Sequence, residues 1–236
     1  YFPKGKLSDM SDLTATELAE RLGVTRRRAL DLLGSGEIAG RRLASGAWLA
    51  DGDAVNRYEV VARRGKGRSM DRDTAWGLLW ELSGLEATWL TGSTRARVRR
   101  RIRESNAEDL AKAVAKRTVA HRYTAANAER AAAELIATGR AAAGTLGTEL
   151  ISDRRRVSGY VRSGTPDEYA ASHFMVADVS GQDIVYENTL PVRFEGGEVM
   201  PSAVVAADLA TSTDTRERSA GLRAIEDLRQ AWLAAR

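Results

Sequence analysis

The amino-acid sequence predicts an α+β fold, with a helical N-terminal part and a C-terminal part that mixes helices and strands. Apolar residues recur at helical spacing through most of the first 117 residues. Short alternating or β-branched segments follow at 157–161, 173–179 and 184–187, separated by glycine and aspartate. After residue 200 the spacing is helical again, at Pro201–Ala210 and Asp214–Ala235. This order of patterns is typical of the α+β class.

The stretch Leu13–Leu49 has the pattern of two short helices joined by a tight turn. Thr14 and Glu17 have the spacing of a capping box, in which each side chain bonds the backbone of the other residue. Gly23 supplies the turn, and Thr25 is a good N-cap for a second helix. The pattern therefore predicts a helix-turn-helix.

A β-hairpin is predicted directly after the second helix. Residues 37–42 have the pattern of a strand, Ala44-Ser45-Gly46 that of a tight turn, and residues 47–49 that of a returning strand. Such a hairpin would be a wing, with Arg41 and Arg42 beside the backbone of a bound duplex. A helix from Asp51 or Asp53 through Ala62 would close the domain.

Three consecutive arginines occupy the first turn of the predicted second helix. In a helix-turn-helix, the N-terminal residues of this helix contact base edges in the major groove. An alternative interpretation is a pair of packed helices with a solvated arginine face. We predict double-stranded DNA as the partner, bound through Thr25, Arg26, Arg27, Arg28, Arg41 and Arg42.

This N-terminal pattern resembles the excisionase-like and MerR-like winged helix-turn-helix domains. The resemblance covers about a quarter of the chain, and it rests on the spacing of the apolar and turn residues and on the hairpin that follows. It implies a DNA-binding domain. The residues that carry it are Leu18, Gly23, Val24, Ala29 and Leu32.

A second basic segment lies between Arg95 and Arg103, where Val98 and Ile102 form the apolar side of a short helix. Residues 95–122 contain 10 basic and 3 acidic residues, so acids within the segment do not balance its charge. We expect Arg97, Arg100 and Arg101 to contact DNA phosphates. The alternative is an amphipathic helix with a solvated basic face.

Composition excludes several classes of protein. The chain has 236 residues and no cysteine, which excludes disulfides and thiolate zinc sites. It has no run of 18 apolar residues and no recognisable secretory leader, so we expect a cytoplasmic protein without a membrane partner. Residues 1–9 have no apolar period, and we expect them to be a vector-derived leader before a natural start at Met10.

No catalytic residue, metal site or cofactor is predicted. The two histidines, His121 and His173, do not occur in a ligand spacing, and no phosphate-binding glycine loop follows a strand. Asp208 and Asp214 are interpreted as helix caps or surface charges. The sequence therefore does not indicate an enzyme.

A second resemblance is carried by the order and spacing of Ala137–Ala142, Gly159–Val161, Ala206–Leu209 and Asp214–Arg216. Together with the winged pattern and the clustered arginines before them, these segments resemble the abortive-infection E type antitoxins (AbiEi-like) of bacterial toxin–antitoxin operons. The resemblance implies a protein that represses its own operon and neutralises a nucleotidyltransferase toxin encoded beside it, as members of that family do. The first domain departs from the family pattern because it looks more like an excisionase, which affects the expected mode of operator binding.

Charge also divides the chain, because residues 123–236 contain 12 basic and 16 acidic residues while the preceding part is basic. A basic half joined to an acidic half suits a DNA-binding protein with a second function. In the last segment, Thr118–Arg122 is predicted as a strand and Ala125–Ala137 as a helix. The predicted parts are the leader 1–9, a winged helix-turn-helix domain 10–64, a basic linker and helical segment 65–117, and an α+β domain 118–236.

Two functions follow from these expectations. The resemblance implies an autoregulating antitoxin, which binds its own operator and neutralises a nucleotidyltransferase toxin, with direct contact left open. The alternative is a transcription regulator or phage-type excisionase whose C-terminal domain senses a ligand or mediates assembly.

Overall fold

The computed structural model of the chain is mixed α+β, which confirms the predicted fold class at that level. It contains two compact units, Tyr1–Gly65 (the N-terminal unit) and Lys66–Arg236 (the C-terminal unit). The predicted leader, residues 65–69 of the predicted linker and most of the predicted helix from 51 to 62 lie outside the described residues. Described are residues 12–38, 40–50, 52, 54, 55, 58, 70–147, 150–153, 155–178, 181–194, 197–212 and 214–235.

In the N-terminal unit, two helices pack with a small antiparallel sheet of strand order β1-β3-β2. The predicted capping box is present: the Thr14 backbone N–H donates to the Glu17 carboxylate at 2.8 Å, and the Glu17 N–H donates to the Thr14 hydroxyl at 3.3 Å. Gly23 ends the first helix at φ 65°, a conformation that favours glycine. The elements are β1 Leu13–Thr14, α1 Ala15–Leu22, α2 Arg26–Gly34, β2 Gly40–Arg42 and β3 Trp48–Ala50.

Five of the described helices of the C-terminal unit share one apolar core, and the other two pack in a second, smaller core with residues of the sheet. Trp76 and Trp80, which lie one turn apart on the first of these helices, are buried and contact each other edge to face at 5.9 Å. The larger core also includes Val204 and Ile225 from the last two helices. The helices are α3 Arg72–Leu82, α4 Gly92–Glu104, α5 Ala107–Val114, α6 Ala128–Ala132, α7 Pro166–Ser172, α8 Ser202–Ala210 and α9 Thr215–Ala234, with 3-10 turns at Ala115–Arg117 and Gly139–Leu146.

A five-stranded sheet completes the C-terminal unit, in the order β5-β6-β8-β4-β7. Strands β6 and β8 are parallel, and the other neighbouring pairs are antiparallel. The three short segments predicted from alternation at 157–187 are strands. The strands are β4 Ala120–Ala125, β5 Ile136–Ala137, β6 Ser158–Tyr160, β7 Met175–Ala177 and β8 Asp183–Tyr186.

The predicted helix Ala125–Ala137 is wrong. Ala125 ends strand β4, where it pairs with Met175, and Asn127 caps a helix of only five residues. Ile136 and Ala137 then pair with β6. Alanine favours helix by only a few tenths of a kcal/mol over most residues, so pairing within the sheet overrides that preference.

A buried polar network joins the end of α5 to α8. Arg117 and Asp208, whose side chains are 1% and 2% exposed, form an ion pair. Thr138 donates to the Asp208 carboxylate at 2.6 Å and Tyr160 donates to it at 3.0 Å. The guanidinium of Arg117 also lies 5.2 Å from the ring centroid of Trp76.

This network corrects the interpretation of Asp208 as a helix cap or surface charge, whereas Asp214 does cap α9. The division predicted at residue 117 falls within the common core of the C-terminal unit. Separately, none of the helices in the described ranges is long and apolar enough to cross a membrane.

Candidate nucleic-acid interface

Helix α2 presents a basic first turn on a firmly packed support. Its N-cap is Thr25, whose hydroxyl accepts a hydrogen bond from the Arg28 backbone N–H at 3.2 Å. The side chains that face inward, Ala29, Leu32 and Leu33, are buried in the core of the N-terminal unit. Arg26, Arg27 and Arg28, the arginine turn, are exposed.

The three arginines of this turn differ in how far their charge is balanced. Arg28 lies 3.7 Å from the carboxylate of Glu37, and both side chains are about half exposed. Arg26 and Arg27 form no hydrogen bond or ion pair within the described part of the chain. No acidic residue occupies the first turn of α2, so its positive helix end adds to their charge.

The hairpin does not bring its two arginines together on one face. Arg41 and Arg42 are consecutive residues of β2, so their side chains point to opposite faces of the hairpin. Arg41 forms a 2.9 Å ion pair with Asp12, while the Arg42 Nε donates to the Gly46 carbonyl at 3.2 Å. Both are exposed, but each is partly occupied within the unit.

Helix α4 divides its arginines between an internal and an external role. Arg99 donates to the carboxylate of the buried Glu81 at 3.0 and 3.2 Å, and this hydrogen bonding raises the pKa of Arg99. Arg95 donates to Glu86 at 3.0 Å and lies 3.9 Å from Glu81. These two arginines therefore hold α4 against α3.

The predicted phosphate-contacting residues lie on the outer part of α4, but they are not equivalent. Arg97 is exposed and donates to the Thr94 hydroxyl at 2.9 Å. Arg100 is exposed and lies 4.0 Å from Glu104. Arg101 is half-buried, and its Nε is a buried donor without a hydrogen-bond acceptor. Arg97 and Arg100 are thus the more accessible pair.

The candidate residues form two sets. Thr25, the arginine turn and the hairpin arginines belong to the N-terminal unit, and the three arginines of α4 belong to the C-terminal unit. Sequence reasoning missed the acids that bind the inner arginines of α4. Glu81 interrupts an otherwise apolar stretch of α3, and this isolated acid was the available signal of a buried partner.

The buried ion pair of Arg117 and Asp208 changes the pKa of the groups in this network. Burial by itself would lower the pKa of Arg117, but the Asp208 carboxylate outweighs it and the pKa is raised. Burial also raises the pKa of the Tyr160 hydroxyl far above its ordinary value. These groups are closed off from solvent, so we assign the network to stability and not to binding.

Comparison of the chain with models of protein families, with curated proteins and with solved structures gave no match.

Proposed function

We propose that the protein binds double-stranded DNA through the N-terminal end of α2, with the β2–β3 hairpin as a wing. The observation that carries this proposal is the pair Arg26 and Arg27, which are exposed and placed at the positive end of a helix, and which have no acidic partner among the described residues. A helix-turn-helix reads base edges from this part of its second helix.

The remaining features of α2 support the same orientation. Asp31 is exposed one turn after Arg27, so it lies on the same side of the helix. Its negative charge disfavours close approach of phosphates to the middle of α2. Insertion of the N-terminal end of the helix keeps the arginines near the bases, where a guanidinium can bind guanine with two hydrogen bonds.

Loss of one arginine tests this assignment. The probe is a duplex selected from a random-sequence pool by the unaltered protein, with unselected duplex for comparison. R26A and R27A should each weaken binding to the selected duplex by about 1–3 kcal/mol if that side chain reads a base. The matched control is R21A, which removes an arginine from α1. Unchanged binding by both variants would contradict the assignment of α2 as the reading helix.

We also propose that Arg97 and Arg100 of α4, with a smaller share from Arg101, contact DNA phosphates. Phosphate contacts release counterions, so each lost contact should flatten the plot of log K against log salt by about 0.9. R97Q and R100Q should each weaken binding to the selected and to the unselected duplex by the same factor. An unaltered slope would mean that these arginines on the outer face of α4 contact solvent and not DNA phosphates.

For the biological role we propose an autoregulating antitoxin, supported by the AbiEi-like resemblance and by a C-terminal unit with its own core. In this proposal the N-terminal unit occupies the operator, and the C-terminal unit serves to neutralise a nucleotidyltransferase toxin. A transcription regulator or phage-type excisionase is the alternative.

Growth of cells that express the neighbouring gene distinguishes these roles. The chain should be divided between Gly65 and Lys66, because a cut near Lys116 would separate α3, α4 and α5 from the core they share with α8 and α9. Residues 1–65 should repress without rescuing growth, and residues 66–236 should rescue without repressing. Full rescue by residues 1–65 would refute this division. An integrase gene in place of a toxin gene would favour the excisionase.

A further inference from the structure

A small cavity opens beside the first three turns of α9, within the C-terminal unit. Its volume is about 180 Å³, which is below the range of sites for whole cofactors and suits one small chemical group. Four polar side chains of α9 and one apolar side chain surround it. The lining residues are Leu150, Thr215, Arg216, Ser219 and Arg223.

Both arginines of this cavity carry unbalanced charge. Arg216 and Arg223 are exposed, and neither forms an ion pair or a side-chain hydrogen bond with any residue that the structure describes. The nearby Glu217 is not available to them, because it forms an ion pair with Arg140 at 2.6 Å. Among the residues that the structure describes, therefore, neither of the two guanidinium groups at this cavity has a carboxylate partner.

The donors at the cavity come from side chains and not from the helix end. The Asp214 carboxylate accepts the backbone N–H groups of Arg216 and Glu217 at 2.8 and 3.1 Å, so these donors are occupied. The two guanidinium groups and the hydroxyls of Thr215 and Ser219 are left to bind a ligand. Planar guanidinium groups pair with the oxygens of phosphate in a two-pronged geometry, and hydroxyls add single donors.

We propose that this cavity binds one phosphate group. The chemistry fits a phosphate of either a small phosphorylated molecule or a nucleic-acid strand, since both present the same oxygens. The site lies on α9, and none of its lining residues belongs to the arginine turn of α2 or to α4. It stands independently of the proposed DNA reading by α2.

Inorganic phosphate is the first probe, added to the full chain and followed by calorimetry at constant ionic strength with chloride as the comparison anion. We expect saturable binding of phosphate but not of chloride. R216Q and R223Q should each weaken it about tenfold, as loss of a charge-assisted pair requires. The matched control is R218Q, which removes an arginine of the same helix that does not line the cavity.

The proposal is overturned if phosphate does not bind saturably, or if R218Q weakens binding as much as R216Q. Far-UV circular dichroism of each variant checks that the substitutions at the exposed Arg216 and Arg223, and at the half-buried Arg218, leave the fold intact. The phosphate group could come from a small molecule or from a nucleic-acid strand, and either result supports the site. Measurement of duplex binding by the same variants distinguishes the two sources. If R216Q and R223Q also weaken duplex binding and flatten its salt dependence, the group belongs to nucleic acid. If duplex binding is unchanged, the group belongs to a small molecule.

R26A and R27A separate this inference from the proposed function. They should leave binding of inorganic phosphate unchanged, because they belong to the N-terminal unit. Loss of phosphate binding in R26A would overturn the assignment to α9. If R26A and R27A bind inorganic phosphate normally and also bind duplex DNA as tightly as the unaltered protein, only the proposed role of α2 is refuted.

Discussion

Removal of the buried carboxylate of Asp208 should destabilise the C-terminal unit severely. In D208N, the side chain keeps its size, but Arg117 loses its counter-ion while only 1% of its side chain is exposed. Two hydrogen bonds to Arg117 would persist, from its guanidinium to the Val114 carbonyl at 3.2 Å and to the Tyr160 hydroxyl at 3.0 Å. They satisfy donors but do not neutralise the charge.

The expected magnitude follows from burial of both partners. Breaking a buried ion pair by removing one partner costs about 3–5 kcal/mol, because the other charge stays buried without compensation. This is a large part of the total of about 5–15 kcal/mol that stabilises a typical domain. In the double variant R117M D208N no unpaired charge is left, so the loss should be smaller than the sum of the two single losses.

Urea unfolding measures these losses. Tryptophan fluorescence reports mainly on the C-terminal unit, which contains four of the five tryptophans. The control is E86Q, which removes a partner of Arg95 that is 68% exposed and should cost less than about 1 kcal/mol. A loss below about 1 kcal/mol in D208N, or strict additivity in the double variant, would show that Arg117 does not depend on Asp208 for its counter-ion.

Three further predictions concern stability. G221A should lower the free energy of unfolding, measured in urea, by about 1–3 kcal/mol, because a Cβ there would lie 2.4 Å from the Ala210 backbone nitrogen. An unchanged free energy of unfolding would contradict the close packing of α8 on α9. The Thr74 backbone N–H lowers the pKa of Asp71. D71A should therefore lower the free energy of unfolding by about 1 kcal/mol at pH 7, and the variant should lose less stability than the unaltered protein as pH falls below about 4. Identical acid unfolding curves for the two proteins would exclude this. F174N should raise the melting temperature, because Phe174 has φ 54° and is 74% exposed, whereas F174A should not.

The sign of the Asp71 effect follows from the direction of its shift. The folded-state pKa lies below the unfolded value, so the carboxylate contributes stability above the unfolded pKa. That contribution is lost as pH falls through the folded pKa, and a variant without the carboxylate has nothing to lose there.

Helix ends and buried helix faces could be predicted from the sequence because both depend on residues one or two turns apart. Thr14 with Glu17 specified the start of α1, and Asp71 and Asp214 specified the starts of α3 and α9. The spacing of Trp76 and Trp80 indicated the core side of α3 for the same reason. These interactions form within single elements, so local order in the chain records them.

Which charges are available for binding was decided by tertiary structure. From the sequence, the arginines of α4 were expected to form one basic face. In the structure, Arg99 instead donates a hydrogen bond to the carboxylate of Glu81, which lies 18 residues away in the sequence. Arg41 is likewise paired with Asp12, 29 residues earlier. The sequence therefore predicted the positions of the candidate interface but not the partners of its charges. Among the described residues, Arg28 of the arginine turn has an acidic neighbour, whereas Arg26 and Arg27 have none.

Local patterns in the sequence were enough to predict the α+β class, the basic first turn of α2 and most helix boundaries. Three other features are visible only in the folded chain: Ala125 ends a strand, Asp208 is buried against Arg117 from 91 residues away, and Arg216 and Arg223 line one cavity. The two groups of features differ in the range of the interactions that specify them. Capping and periodicity act over a few residues, whereas strand pairing, ion-pair partners and cavities depend on segments that the folded chain brings together.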